Sequence, residues 1–341
     1  MTEGKPTADR PSAALLAQAA ATAGYAPSVH NTQPWQWRVH PGRLDLLADR
    51  SRQLRAVDPD SRLLMLSCGT ALHHASITLA AEGWVTRVER LPEVADPDLV
   101  ARLVVTGQDE PEPEILEMGQ AMPVRHTDRR PVSENPVPIP VLARIEASVS
   151  GLARLHLLTG DQVLQLAAMA ARAATVQAHD PQVRTELDYW TTRTGSEGVG
   201  LPPEVLPAEQ PQTPVPGRDF GRPGTLPVGT GHDRAAHYAL LFGDEDEPEG
   251  WLRGGEALSA AWLTATNLGV SVLPLSGVIE VAGTRATLRQ ILAGLGYPYL
   301  VLRLGLIDPE QPESPHTPRL PAEQMVDSSL LDTTDHLGDR R

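Results

Sequence analysis

The chain has 341 residues, 41% of them hydrophobic, with one cysteine and a formal net charge of −14. This length allows one large domain or two ordinary ones with a substantial core, and the negative charge argues against nucleic-acid and anionic-membrane partners, which need a basic face. The single cysteine, Cys68, excludes an intramolecular disulfide and any cysteine-rich metal site, and it fits the reducing cytoplasm, where we expect the protein.

Lysine is nearly absent from the sequence, and this excludes several chemistries. Lys5, in a polar N-terminal stretch, is the only lysine. A pyridoxal-phosphate enzyme needs a buried Schiff-base lysine, and a phosphate-binding P-loop needs a lysine of its own. No apolar run reaches the roughly 20 residues of a membrane span. Residues 13–26 resemble a signal peptide only weakly, because strong hydrophobes are few and no basic cluster precedes them.

The first informative segment joins a predicted helix, residues 13–24, to a predicted strand, residues 35–39. Between them lies a polar loop that Pro27 and Pro34 stiffen, since each proline fixes its own φ and restricts the residue before it. The polar residues of this loop are Ser28, His30, Asn31, Thr32 and Gln33. Such a junction suits ligand binding, and a capped helix end followed by a turn is an equally good interpretation.

A second feature is an internal repeat. Residues 68–83 and 254–269 both read as buried helices rich in small residues, and they align without gaps. The identical pairs are Gly69/Gly255, Ala71/Ala257, Leu72/Leu258, Ala75/Ala261, Thr78/Thr264 and Gly83/Gly269. The predicted flanking elements are helix 13–24, strand 35–39 and strands 85–91 and 100–106 in the first copy, and helix 141–150, strand 152–159 and strands 270–274 and 299–306 in the second. Two related α+β halves explain this pattern, and chance similarity of two alanine-rich helices is the alternative.

These elements predict a division of the chain. The predicted segments are a flexible N-terminal tail at 1–12, an N-terminal half at 13–107, an acidic linker at 108–123, a C-terminal half at 124–326 and a flexible tail at 327–341. A proline-rich insertion at 201–229 interrupts the second half. So many prolines exclude a regular helix or an internal strand there. An irregular stretch of this length is typical of a functional lid or of disorder.

The strongest basic cluster begins at Arg125 and runs Arg-His-Thr-Asp-Arg-Arg to residue 130. Guanidinium groups bind phosphate bidentately and a hydroxyl adds a further donor, so this cluster suits a phosphate group. A solvated charge cluster is the alternative. The remaining candidates are weaker: His73 and His74 point to different faces of a helix, Cys68 favours a structural role, and no metal-binding motif is present.

Two of these segments resemble known motifs. Ala26-Pro27-Ser28-x-x-Asn31-x-Gln33-Pro34-Trp35 resembles the flavin-contacting motif of the FMN-dependent nitroreductase superfamily. Arg125-His126-Thr127-Asp128-Arg129 resembles the Arg-x-Ser-x-Arg/Lys motif of that superfamily, with threonine in place of serine. The motif order, the double-half arrangement and the proline-rich insertion resemble the Acg family of dormancy-associated nitroreductase-like proteins. The resemblance covers about residues 12–326.

The resemblance implies an α+β, nitroreductase-like fold in which two tandem halves form a single-chain pseudo-dimer. It implies one complete FMN site and one degenerate site, hence about one FMN per chain. The implied activity is ping-pong hydride transfer from NAD(P)H through FMN to a small-molecule acceptor, nitroaromatic or quinone-like. The alternatives are FMN storage under a closed lid, without turnover, and a pseudo-enzyme. The chain would be a monomeric pseudo-dimer or a homodimer.

The resemblance also implies roles for residues of the basic motif and of the C-terminal half. Arg125, Thr127 and Arg129 would hold the phosphate, the ribityl chain and the N1/O2 edge of FMN. Arg319 stands where the family often places a second phosphate cation. A segment that starts at Pro274 would pass the N5 side of the flavin; its cofactor-binding residues are Leu275, Ser276 and Gly277.

In the first motif, Pro27, Ser28 and Asn31 would line the flavin ring and its tail. His30 and Gln33 complete the predicted contacts of this motif, and His126 those of the basic motif. His30 or His126 could relay a proton, but no protein acid or base is strictly required because the flavin carries the chemistry. We expect no metal ion.

Overall fold

The computed structural model of the protein describes residues 10–229, 231–308, 310–311 and 314–329. The helices of this part of the chain are α1 (Ala13–Thr22), α2 (Arg62–Ala81), α3 (Pro113–Ala121), α4 (Ile139–Ala147), α5 (Gly160–His179), α6 (Pro181–Thr191), α7 (Pro248–Asn267), α8 (Gly277–Glu280) and α9 (Ala282–Ile291). The strands are β1 (Trp35–His40), β2 (Arg43–Ala48), β3 (Trp84–Arg90), β4 (Leu99–Gln108), β5 (Arg154–Leu157), β6 (His237–Gly243), β7 (Val270–Leu275), β8 (Tyr297–Leu306) and β9 (Val326–Asp327).

The strands form two sheets with the same internal order. One sheet runs β3-β4-β2-β1-β9 and the other runs β7-β8-β6-β5. Apart from β9, which pairs in parallel with β1, all neighbours are antiparallel. The register shifts at Leu46/Leu47 and Val85/Thr86 in the first sheet and at Leu241/Phe242 in the second. The predicted α+β fold of two tandem halves is therefore confirmed. We propose that the boundary between the halves lies in the segment 108–123.

The repeated helices α2 and α7 form the seam between the halves. Both have 20 residues and both begin and end in step with the gapless alignment. They cross where their glycines meet: a Cβ atom on Gly69 would lie 2.0 Å from the carbonyl oxygen of Leu252, and one on Gly255 would lie 2.0 Å from that of Leu66. Only glycine permits this approach. Helix α2 is long and apolar enough to cross a membrane, yet 78% of its apolar window is buried inside the protein.

A buried polar network crosses this seam. Both His73 and His74 place Nδ1 against the Ser259 hydroxyl of α7, at 2.8 and 2.9 Å. Burial lowers the pKa of His73 to about 4 and holds that of His74 well below its ordinary value, with Arg125 adding to the effect at His74. The two imidazoles are therefore neutral at pH 7. Neutral, buried side chains of this kind suit the packing role that the sequence predicts for His73 and His74.

Three segments hold helices that the sequence did not predict, and one of them is the connection between β7 and β8, which contains α8 and α9. Helix α3 lies within the predicted linker. In the second half, the connection from β5 to β6 contains α5 and α6 as well as the proline-rich stretch, whereas the corresponding β1–β2 connection is a tight turn at Pro41–Gly42. The stretch 201–229 itself has only a short 3₁₀ turn, Pro203–Val205, and one bridge between Pro207 and Leu226.

The predicted tails fall mostly on residues 1–9 and 330–341, which lie outside the described part of the chain. Within it, Ser12 caps α1 by accepting a hydrogen bond from the Leu15 N–H at 3.2 Å. Asp327, assigned to the C-terminal tail, belongs to β9 and pairs with Arg38 of β1. The last described segment of the chain is thus joined to the sheet of the first half.

Candidate functional site

The loop between α1 and β1 adopts an uncommon backbone. His30, Asn31 and Gln33 have φ angles of 47°, 55° and 49°, in the left-handed region that non-glycine residues seldom occupy. The hydroxyl of Ser28 stabilises this shape by accepting the Gln33 N–H at 2.9 Å. Strained backbone of this kind clusters at functional sites, where the surrounding structure holds it in place.

Two side chains of helix α2 form hydrogen bonds with the backbone of this loop. The Thr70 hydroxyl donates to the carbonyl oxygen of Pro27 at 2.6 Å, and the Ser67 hydroxyl accepts the Val29 N–H at 3.3 Å. Both hydroxyls lie on the helix that forms the seam between the halves. The loop is therefore fixed to a helix whose residues are mostly buried.

A cavity of about 1070 Å³ opens beside this loop and is lined by both halves and by the insertion. This volume exceeds the usual range for small-molecule and cofactor sites, roughly 300–1,000 Å³. The sequence-predicted residues that line it are Pro27, Ser28, His30, Asn31, Arg125, Thr127, Arg129, Leu275, Ser276, Gly277 and Arg319. The structure thus brings together the two motifs, the segment after β7 and the C-terminal arginine.

Gln33 and His126 do not line the cavity. Gln33 is fully buried, and its side-chain amide donates to the Gly198 carbonyl at 2.7 Å while its oxygen accepts the Leu320 N–H at 3.0 Å. The His126 ring contacts that of His316 at a tilted angle, with ring centroids 4.9 Å apart. The structure gives both side chains contacts within the protein instead.

Two arginines converge at one end of the cavity. Arg125 and Arg319 both donate to the carbonyl oxygen of Tyr25, at 3.1 and 3.2 Å, and Arg125 also stacks on Trp262 at 4.5 Å. Within the described residues neither guanidinium pairs with a carboxylate, and the Nε atom of each is buried without a partner. Burial lowers the pKa of Arg319 to about 10, and burial together with the Arg319 charge holds that of Arg125 well below its ordinary value. A buried cation and a half-buried cation that lack counter-ions indicate an anion site.

The basic cluster divides into residues that face the cavity and residues that pair within the fold. Arg130 binds Asp128 in a buried ion pair at 2.6 Å and so stays within the fold. Arg129 faces the cavity, donates to the Val205 carbonyl at 3.0 Å and lies 5.6 Å from the centre of the Phe220 ring. Burial lowers the pKa of Arg129 to about 10. Its contacts all come from the proline-rich insertion.

The insertion forms one wall of the cavity. Its lining residues are Leu201, Pro207, Gln210, Pro211, Pro216, Gly217, Arg218, Asp219, Phe220 and Gly221. Arg218 makes an ion pair with Glu280 of α8, whose side chain is only 1% exposed, and Gln177 of α5 donates to the same carboxylate. Burial favours the neutral form of Glu280, but Arg218 outweighs it and the pKa of Glu280 is lowered. A buried ion pair therefore fastens the insertion beside Ser276 and Gly277.

His30 lies under this wall. Its ring makes an edge contact with Phe220 at 6.4 Å, and its Nε2 atom is buried without a partner in the described structure. Burial, reinforced by Arg218 and Arg129, lowers the pKa of His30 to about 3. The imidazole is therefore neutral at physiological pH, available for hydrogen bonding but not as a charged acid.

The buried histidines predict how stability varies with pH. His30, His73 and His74 all have folded pKa values below the unfolded value near 6.5, so unfolding takes up protons once the pH falls below about 6.5. We expect the free energy of unfolding to fall between pH 6.5 and 5, by up to about 1.4 kcal/mol per pH unit for each histidine. Urea unfolding of His73→Gln should show a shallower fall than wild type, whereas exposed His179→Gln should not; equal slopes would contradict this.

In the first half, a charged side chain occupies the position that corresponds to Ser276 of the cavity. The offset of 186 residues between Gly69 and Gly255 places Arg90 where the cavity has Ser276. Arg90 donates to both carboxylate oxygens of Glu256, at 2.7 and 2.9 Å, and the Glu256 side chain is 6% exposed. The residue that corresponds to Ser276 by this offset therefore belongs to an ion pair with Glu256.

No protein-family model matches the chain. It is 36% identical over 309 residues to a Mycobacterium tuberculosis protein that carries the provisional name NAD(P)H nitroreductase, covering 89% of this chain and 88% of the relative. It is 30% identical over 308 residues to acg of the same organism, which bears the same provisional name, covering 88% of this chain and 91% of the relative. The chain belongs to the Acg family of nitroreductases.

A crystal structure of a nitroreductase with bound FMN from Bacteroides fragilis resembles this Acg-family chain at a TM-score of 0.35 and 13% identity, over 57% of this chain and 91% of that one. Within the described residues, no group of three or more histidine, cysteine, aspartate or glutamate side chains could hold a metal ion.

Proposed function

We propose that the chain binds one FMN in this cavity and catalyses NAD(P)H-dependent, two-electron reduction of a small nitroaromatic or quinone-like acceptor. The observation that carries the proposal is a pair of guanidinium groups, Arg125 buried and Arg319 half-buried, that no carboxylate neutralises among the described residues. Such a pair needs an anion, and the FMN phosphate supplies one. The names of the relatives support the same reaction class.

The rest of the lining fits the other parts of FMN. Arg125, Arg319 and the Thr127 hydroxyl would hold the phosphate, and Arg129 would supply positive charge for the reduced ring. The apolar side chains Pro27, Leu258, Trp262 and Leu275 border the same space and would receive the ring. Bound flavin would supply the redox chemistry, accepting hydride from NAD(P)H and passing electrons to the acceptor.

The protein's own part would be binding, orientation and exclusion of water. The insertion covers one side of the cavity, and the neutral His30 offers a hydrogen-bonding nitrogen within it. Since the two halves already form the pseudo-dimer seam, a monomer would hold a complete site.

FMN storage is the second candidate function, and the anchoring of the insertion favours it. The ion pair between Arg218 and Glu280 is buried, and it lies beside the segment that the family places at the flavin N5. Hydride transfer needs the reacting atoms within roughly 3–3.5 Å. An insertion that stayed closed would keep nicotinamide away from that distance.

One experiment tests the proposal. The purified protein is analysed for bound flavin by its visible spectrum and then given NADPH or NADH without air. We expect FMN, bleached by the reductant and reoxidised by a quinone. Bound flavin that dithionite reduces but NAD(P)H does not would favour storage, and a protein that binds no flavin would overturn both functions.

The filled second position predicts the stoichiometry. Because the Arg90–Glu256 ion pair occupies the equivalent of the Ser276 region, we expect one FMN per chain at saturation. Equilibrium dialysis with measured protein concentration gives this number. A value of two would contradict the single-site argument.

The ion pair that anchors the insertion predicts a variant in which NAD(P)H reduces the flavin faster. In Glu280→Gln, Arg218 loses its buried counter-ion, and stranding a buried charge costs about 3–5 kcal/mol. We expect the insertion to detach, so that proteases cleave within 201–229 faster and NAD(P)H reduces the flavin faster. Exposed Glu249→Gln, which breaks only the surface pair with Arg253, serves as the control. Unchanged cleavage in Glu280→Gln would show that other contacts hold the insertion.

A further inference from the structure

A junction of three segments lies at the edge of the cavity, and Asn31 is at its centre. The segments are the strained loop after α1, the residues 198–200 before the insertion, and the residues 317–320 that carry Arg319. The Asn31 amide nitrogen donates to the carbonyl oxygens of Gly200 and Pro318, at 3.2 and 2.9 Å. Its amide oxygen accepts from the Arg319 guanidinium at 3.2 Å.

These hydrogen bonds use most of the donor and acceptor capacity of the Asn31 side chain. An asparagine has two amide N–H donors and one oxygen with two lone pairs. Both donors of Asn31 are used by the protein, and one lone pair accepts from Arg319. Its side chain is buried, at 5% exposure for the residue. A direct hydrogen bond from the Asn31 amide N–H to a ligand would require breaking one of these contacts.

The three segments touch at backbone level as well. The N–H of Gly200 donates to the Asn31 carbonyl at 3.2 Å. Gly198 and Gly200 have φ angles of 73° and 78°, and a Cβ atom on Gly198 would lie 2.9 Å from the Arg319 carbonyl oxygen. The base of the insertion and the segment that carries the cation therefore pack too closely to move independently.

We propose that Asn31 is a positioning residue that ties the base of the insertion to Arg319, rather than a residue that binds the cofactor directly. When the base of the insertion shifts, Pro318 and Arg319 shift with it, and the anion site loses one of its two cations. Phosphate binding and closure of the insertion are then coupled, each favouring the other. This inference rests on the proposed function, in which a phosphate occupies the site.

A double-mutant cycle tests the inference, with FMN and inorganic phosphate as separate probes. The dissociation constant for FMN and the phosphate-induced rise in melting temperature are measured for wild type, Asn31→Ala, Arg319→Ala and the double variant. We expect Asn31→Ala to weaken FMN binding about tenfold, and the double variant to bind no more weakly than Arg319→Ala alone. If the losses of FMN affinity in the two single variants multiplied in the double variant, the inference would be overturned, because two independent ligand contacts give that result.

Gly198→Ala provides a second, independent test of the coupling between the insertion and Arg319. Gly198 does not line the cavity, yet its new methyl group would push against the Arg319 carbonyl. We expect it to weaken FMN binding and to expose the insertion to proteases, again without a further loss in the Arg319→Ala background. Unchanged FMN affinity in a folded Gly198→Ala protein would overturn the coupling.

The matched control is Thr70→Ala. This substitution removes the hydrogen bond from the Thr70 hydroxyl to the Pro27 carbonyl but touches neither Arg319 nor the insertion. Its loss of FMN affinity should therefore multiply with that of Arg319→Ala. Wild-type protein that binds no FMN would overturn the proposed function alone, because the phosphate arm still measures whether Asn31 and Arg319 act together.

Discussion

Replacing Arg125 with methionine is expected to weaken FMN binding about a hundredfold or more, while the flavin-free protein keeps or raises its melting temperature. Without ligand, the Arg125 guanidinium is buried with one carbonyl and one indole ring as neighbours, an arrangement that destabilises the fold. With FMN bound, the same group pairs with a phosphate, and its loss costs about 2–5 kcal/mol of binding. Fluorescence titration with FMN and thermal unfolding of the flavin-free protein measure the two effects.

Arg144→Met is the control for this prediction, because Arg144 is an exposed arginine on α4. It should change neither quantity. If Arg125→Met lowered the melting temperature of the flavin-free protein by several degrees and left FMN affinity unchanged, Arg125 would be a structural residue and the anion site would lie elsewhere.

The second large effect concerns the seam between the halves. Gly69→Ala is expected to destabilise the protein by about 3 kcal/mol or more, because its methyl group would lie 2.0 Å from the Leu252 carbonyl and force two helix backbones apart. Gly255→Ala should behave in the same way. The measurement is urea unfolding, or the yield of folded protein if the variant does not accumulate.

Gly283→Ala is the matched control, since it also replaces a helical glycine but has no neighbouring atom within 4 Å of the new methyl group. Alanine favours helix over glycine by up to about 1 kcal/mol, so this variant should be slightly more stable than wild type. A Gly69→Ala protein as stable as Gly283→Ala would mean that the two helices can separate without loss.

The repeated helices could be predicted from sequence because small residues recur there without gaps, and the structure aligns α2 with α7 in that register. The strands β2 and β6 were missed. Both lie in the middle of a sheet and are buried nearly throughout, so neither keeps along its whole length the alternation of polar and apolar residues that a strand with one solvent-exposed face shows. Helix α5 was missed although Thr159 and Gln162 form a capping box at its start.

The lining of the cavity was predictable where short motifs supply it, as at Arg125 and Asn31, which both border it. Contacts between distant parts of the chain were not. Arg218 and Glu280 are 62 residues apart, and neither belongs to a recognisable motif. The division of labour between Arg129, which faces the cavity, and Arg130, which pairs with Asp128, depends on side-chain directions that spacing alone does not fix.

Carrying both halves in one chain has a genetic consequence. In a symmetric homodimer each substitution occurs twice, so one site cannot change without the other. Here the halves share strand order but are encoded separately, and a substitution reaches only one of them. The first half could therefore acquire Arg90, which pairs with Glu256 of the second half, while the second half gained a long insertion beside the cavity that both halves line. In a single chain the two halves can therefore differ in sequence at corresponding positions.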